Sequence, residues 1–295
     1  KTAIIAVTKA DLLPPDLAAG AVEGIKHALA KTEFARMPFV LCSAVSSDGL
    51  DELHAKLESL LGQARGTSAP LHSFLPVDRV FSIAGRGTVV TGTLLGGMLT
   101  VGDAAALLPT GQRINLRGLH CRGEAREQII SGTRAAVNLR GVSVADVPRG
   151  AVLSFAGDFA ATLCMDVALD LLSEQEKPPK HNEQLRVLFG TTQEVARIRL
   201  FAGGSYAQLR FARPVVAYAG QRAVLRKLSP PQTIGGAVIL DPQAKPARAK
   251  DATYIRALQA AEHGDISRIG PALGAAGRGV FCLGDLARLA RKTPD

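Results

Sequence analysis

Tryptophan is absent from this 295-residue chain, and aromatic residues make up only 4% of it. Against that scarcity stand 30 glycines, a balance that suits tight-turned β-domains and gives no sign of disorder. The four cysteines, Cys42, Cys121, Cys164 and Cys282, are far apart. They form no CxxC pair, and no histidine stands near them at metal-ligand spacing. Reduced, mostly buried thiols of a cytosolic protein are therefore expected. No apolar run reaches membrane-spanning length and no signal peptide is visible, so the reading is cytoplasmic with no membrane partner. Two phosphate-handling motifs are missing as well: there is no GxxxxGK[ST] loop and no Asp-x-x-Gly magnesium loop.

What is present is apolar and basic. Hydrophobic residues make up 47% of the chain, and its length predicts about two domains, or more if they are small. The net charge of +9 is uneven: residues 1–65 carry −1, residues 66–157 carry +4, residues 158–243 carry +2 and residues 244–295 carry +4. A basic excess that begins after the first segment points to phosphate-rich partners.

The pattern of apolar residues changes along the chain. Residues 3–7 form a short run fit for a buried parallel strand, and residues 38–42 form a second. Helical spacing follows each, over residues 16–31 and 50–61. Strand, helix, strand, helix reads as the second half of an α/β domain over residues 1–65. Residues 62–70 read as a linker. Short β-rich runs then predict β-barrels, among them residues 88–91, 104–108, 186–189, 195–200 and 208–211. A break near residues 156–160 divides them into barrels over 70–157 and 158–243. Helical pattern returns at Tyr254, Ile255, Leu258 and Ala261 and again over 283–289, so residues 247–295 read as the start of a small helical domain.

The first strand ends at Thr8-Lys9-Ala10-Asp11 and the second at Ser43-Ala44. Ligands of open α/β sheets bind at such carboxyl ends. The chemistry fits guanine. The Asp11 carboxylate can accept two parallel hydrogen bonds, from the ring N–H and the exocyclic amine. The Lys9 stem can lie over the base, and a backbone N–H near Ala44 can donate to the carbonyl oxygen. Thr8-Lys9-Ala10-Asp11 resembles the Asn-Lys-x-Asp motif of GTPases, with Thr8 in place of Asn, and Ser43-Ala44 resembles their Ser-Ala loop. The resemblance implies GTP as cofactor, with Mg bound elsewhere in the parent protein. Without the phosphate and magnesium loops, the chain is expected not to hydrolyse GTP.

Residues 76–93 read PVDRVFSIAGRGTVVTGT and resemble the second domain of elongation factor Tu and its relatives. Two features narrow the resemblance to SelB-like, selenocysteine-specific elongation factors. Asp78-Arg79 replaces the acidic pair common in factor Tu, and residues 225–242, LRKLSPPQTIGGAVILDP, match the run that closes the SelB third domain. The resemblance implies the C-terminal half of a P-loop GTPase domain, two β-barrels and the start of a winged-helix domain. It also implies delivery of selenocysteinyl-tRNA to the ribosome by a monomeric factor. The messenger hairpin that directs selenocysteine insertion would be bound by further C-terminal domains. By the same resemblance, Asp78, Arg79 and Arg134 form the selenocysteine pocket, two guanidiniums facing a selenolate with Asp78 holding an arginine in place. Two other readings stand beside it: another translational GTPase of the factor Tu type, and a non-catalytic β-barrel module that binds RNA.

Overall fold

The computed structural model describes residues 3–30, 32, 34–63, 70, 72–172, 178–248, 250–264 and 271. The chain divides into two units, Lys1–Thr67 and Ser68–Asp295.

In the first unit, β1 (Ile5–Val7) leads into α1 (Pro15–Leu29), and β2 (Phe39–Leu41) into α2 (Leu50–Gln63). The strands pair in parallel, Ile5 opposite Phe39. Asp51 and Glu52 occupy the first turn of α2, where their charge complements the helix dipole. Two expectations are corrected. The first strand is not buried: Ala6 is exposed and Ile5 and Val7 are half-buried, while Val40 on β2 is buried. A two-stranded sheet has too little area to cover both of its own faces. The helix also runs on to Gln63, two residues into the expected linker.

The second unit is built from strands. They are β3 (Leu75–Ile83), β4 (Gly87–Thr93), β5 (Met98–Thr100), β6 (Ala104–Leu108), β7 (Gln112–Cys121), β8 (Glu124–Arg126), β9 (Gln128–Ile130), β10 (Arg134–Leu139) and β11 (Val152–Ser154). Then come β12 (Thr162–Leu171), β13 (Gln184–Phe189), β14 (Thr192–Leu200), β15 (Tyr206–Val215), β16 (Arg222–Lys227) and β17 (Thr233–Asp241), and last α3 (Ala252–His263). The first barrel closes in the order β10-β4-β3-β11-β6-β7, with β7 returning to β10 and β8 hanging from β7. The second closes as β12-β15-β14-β13-β16-β17. Each is filled by alternating inward residues: Leu75, Val90, Leu107, Leu119 and Val137 in one, Met165, Val187, Ile198, Leu209 and Leu225 in the other. Closure leaves these strands no free edge. Phe74 joins the barrels, its ring edge-on to Phe159 at 4.9 Å and to Tyr218 at 5.1 Å.

Helix α3 is capped by the Asp251 side chain, which accepts from the Tyr254 N–H at 3.0 Å, and by Gly264 in the left-handed region. It packs on the second barrel through Tyr254, Ala257, Leu258 and Ala261 against Phe201, Tyr206 and Leu240. The second helical pattern, at residues 283–289, lies outside the described residues.

Candidate functional site

At the ends of β1 and β2 the two predicted guanine loops lie side by side. The Cys42 N–H donates to Val7 O at 2.9 Å and the Ala10 N–H to Cys42 O at 3.2 Å. Lys9 sits in the left-handed region at φ 63°, which reverses the chain and leaves its side chain exposed. Ser43 is fully buried. Its hydroxyl donates to Asp11 Oδ1 and accepts from the Val45 and Ser46 N–H groups at 3.1 and 3.2 Å. Asp11 is thereby held through Oδ1, and its Oδ2 makes no hydrogen bond among the described residues. The Ala44 N–H makes no hydrogen bond among the described residues. The turn into α2 requires Gly49, at φ 71°, because a Cβ there would lie 2.1 Å from Leu41 O. Thr8 is exposed, and its hydroxyl makes no hydrogen bond among the described residues. The loops are held together by backbone and by Ser43 instead.

The second constellation lies on the outer wall of the first barrel. Strand β3 carries a bulge: Val77 faces Gly92 and Arg79 faces Thr91, with Asp78 the extra residue between them. The strands approach closely there because Gly92 has no side chain; a Cβ would lie 2.3 Å from Pro76 O. Arg134 stands opposite Thr93 on the other flank of β4. Its two terminal nitrogens grip the Asp78 carboxylate, Nη2 to Oδ1 at 3.0 Å and Nη1 to Oδ2, the paired geometry that suits arginine. The Thr91 hydroxyl donates to Asp78 Oδ1 at 2.6 Å. Partial burial opposes ionisation of Asp78. The hydrogen bonds from Arg134 and Thr91 outweigh it, helped by the charges of Arg134 and Arg79, and hold the carboxyl below its usual range. The hydrogen bond to Asp78 raises the Arg134 pKa in turn. Arg79 is exposed and makes no hydrogen bond among the described residues.

The arginine that Asp78 holds is therefore Arg134, and one carboxylate against two guanidiniums leaves a net charge of +1. Thr91 was missed by sequence reasoning, as was the tie from Ser43 to Asp11. Neither has a motif of its own, since both follow from pairing across strands or loops.

Comparison with known proteins gives a consistent answer. The profile of the selenocysteine-specific elongation factor β-barrel domain matches residues 166–246. The selenocysteine-specific elongation factor of Desulfomicrobium baculatum is 33% identical over 274 residues, which cover 88% of this chain and 43% of the relative. The chain belongs to the selenocysteine-specific elongation factor family.

The Escherichia coli (strain K12) family member is 29% identical over 242 residues, 81% of this chain and 38% of the relative. The chain thus spans less than half the length of these relatives. Two solved structures share the fold. A bacterial selenocysteine-specific elongation factor, EF-Sec, superposes with a TM-score of 0.83 at 24% identity, over 100% of this chain and 48% of its own. The elongation factor SelB of Methanococcus maripaludis, in complex with the GTP analogue GPPNHP, gives 0.73 at 20% identity, over 83% and 60%. The family domain match covers the second barrel. The guanine loops and the Asp78 constellation lie outside it, so their roles rest on their own geometry.

Proposed function

We propose that this chain supplies the guanine-reading loops and the aminoacyl pocket of a factor that delivers selenocysteinyl-tRNA to the ribosome with GTP at recoded UGA codons. The observation that carries the reading is the Asp78, Arg79 and Arg134 constellation, a site of net charge +1 on the wall of the first barrel. A selenol is more acidic than a thiol, so selenocysteine is an anion at neutral pH, whereas serine is neutral. A selenolate gains charge-assisted contacts from the guanidiniums, whereas a neutral serine leaves the excess positive charge of the site unmatched.

The nucleotide half of the reading rests on Asp11, Ser43, Ala44 and Lys9. This donor and acceptor set fits a guanine edge: a carboxylate held by Ser43 beside the Ala44 N–H, which has no partner among the described residues. These residues bind and orient the base, and Mg and the phosphates would be held by other parts of a complete factor. In a protein of the relatives' full length, Asp11→Asn replaces one acceptor with a donor, which suits the extra carbonyl of xanthine. GTP affinity is expected to fall at least about tenfold while xanthosine triphosphate gains. Nucleotide competition showing unchanged GTP preference would sink the assignment.

An RNA partner is supported by the second barrel. Arg197 faces Arg210 across β14 and β15, and Arg186 faces Arg226 across β13 and β16. Like charges directly opposite destabilise a sheet. Yet neither pair, nor the neighbouring Arg199, forms an ion pair among the described residues; Arg210 instead donates to Gln208 Oε1 at 2.8 Å and Arg197 to Asn182 O at 3.2 Å. Uncompensated arginines on a barrel wall suit the phosphates of an RNA stem. The double variant Arg186→Gln/Arg197→Gln is expected to weaken tRNA binding uniformly across sequences and to reduce the slope of log affinity against log salt by about 1–2. A salt slope identical to wild type would remove this wall from the RNA interface.

A further inference from the structure

The bulge in β3 turns the Asp78 side chain towards two donors on two different strands, Thr91 on β4 and Arg134 on β10. Asp78 Oδ1 accepts from both, and Oδ2 accepts from Arg134 alone. Thr91 lies on β4, flanked by β3 and β10. As a β-branched residue on a strand it has little freedom at χ1, so its hydroxyl is a fixed point. Arg134 is not: its side chain is 56% exposed, against 29% for Asp78, and a long exposed arginine has several rotamers of similar energy. Of the two groups that hold the carboxylate, only Thr91 is anchored.

We infer that Thr91 is a positioning residue of the aminoacyl pocket: its hydroxyl sets the Asp78 carboxylate, and the carboxylate in turn sets the Arg134 guanidinium. This inference rests on the proposal that Asp78, Arg79 and Arg134 receive the aminoacyl group. The hydroxyl donates its single proton to Asp78 and so has none left to give a ligand. The Arg134 terminal nitrogens each spend one hydrogen on Asp78, leaving Nε–H and the outer hydrogens for a ligand. Arg79, which faces Thr91 across the strands, makes no hydrogen bond or ion pair among the described residues and acts on Asp78 through its charge alone. The roles divide accordingly. Arg79 supplies the uncommitted charge, Arg134 supplies directed N–H groups, and Asp78 with Thr91 keeps the two guanidiniums apart and in register.

The test has two arms that fail separately. In this chain, carboxyl carbon NMR follows the titration of Asp78. Thr91→Val keeps the shape of the side chain and removes the donor, and the Asp78 carboxyl is expected to titrate at higher pH than in wild type. Thr91→Ser restores the donor and is expected to return the midpoint most of the way. A midpoint unmoved by Thr91→Val, or moved equally by Thr91→Ser, overturns the inference whatever the pocket binds. In a protein of the relatives' full length, loaded with GTP, the ratio of selenocysteinyl-tRNA to seryl-tRNA affinity is expected to fall about tenfold in Thr91→Val and to recover in Thr91→Ser, with seryl-tRNA affinity unchanged. If the titration moves as expected and the ratio does not, Thr91 positions Asp78 but the aminoacyl reading of the site is wrong.

Discussion

Removing the Arg134 side chain is expected to lower the affinity for selenocysteinyl-tRNA by roughly ten- to a hundredfold and to leave seryl-tRNA affinity nearly unchanged. Two losses combine in Arg134→Ala. The selenolate loses directed donors, and Asp78 loses its paired partner while keeping a hydrogen bond only from Thr91. The freed carboxylate then neutralises Arg79, so the site falls from net +1 to zero. Arg79→Ala reaches the same net charge by removing the uncommitted cation, and it leaves the Asp78–Arg134 pair in place. The two variants are therefore expected to agree in direction, with Arg134→Ala the more severe. The measurement is equilibrium binding of both aminoacyl-tRNAs to a GTP-loaded protein of the relatives' full length. Equal losses for the two tRNAs would mean that the arginines contact the tRNA body or support the barrel, and the pocket assignment would fail.

The second large effect is on stability. Asp166 is fully buried on the outside of β12. It accepts from Gln208 Nε2 at 2.9 Å and from the Tyr254 hydroxyl, which ties α3 to the second barrel. A second tie runs from the Tyr206 hydroxyl to Glu262 at 2.5 Å. Asp166→Ala removes the acceptor that holds the Tyr254 hydroxyl and one of the two acceptors of the Gln208 amide, which keeps Lys245 O at 3.1 Å, and is expected to cost about 1–3 kcal/mol. Tyr254→Phe removes one hydroxyl and keeps the ring that packs on Phe201 at 5.7 Å; about 1–2 kcal/mol is expected. Urea unfolding at constant slope gives both numbers, and hydrogen exchange shows where they act. Amides of α3 should lose protection in Asp166→Ala before those of β13 and β14. Exchange of α3 that is unchanged in the variant would mean the helix is held by its apolar face alone.

Much of this architecture is legible in the residue pattern. Alternation in β-branched and aliphatic runs marks the barrel strands, because a strand with one face in a core must place an apolar residue at every second position. Glycines at tight turns and the helical spacing of α1, α2 and α3 are equally local signals. The two loops proposed to read guanine could be located for a related reason: a carboxylate and a backbone N–H at the ends of adjacent parallel strands need only a few contiguous residues each. Pairing between distant strands is not local, and there the residue pattern is silent; only the family resemblance grouped Asp78 with Arg79 and Arg134. No pattern marks Asp78 as the extra residue of a bulge, Thr91 as its anchor, or Arg134 as its partner 56 positions away. Those relations depend on register, and a shift of one residue would turn every side chain on the strand to the other face. The same holds for Arg186 facing Arg226 and Arg197 facing Arg210, which read as scattered charges until the barrel closes. It holds as well for α3, whose apolar face is evident in the sequence. That the face lies against the second barrel was decided by Asp166 and Tyr206, two buried polar groups that needed partners and found them 88 and 56 residues further along the chain.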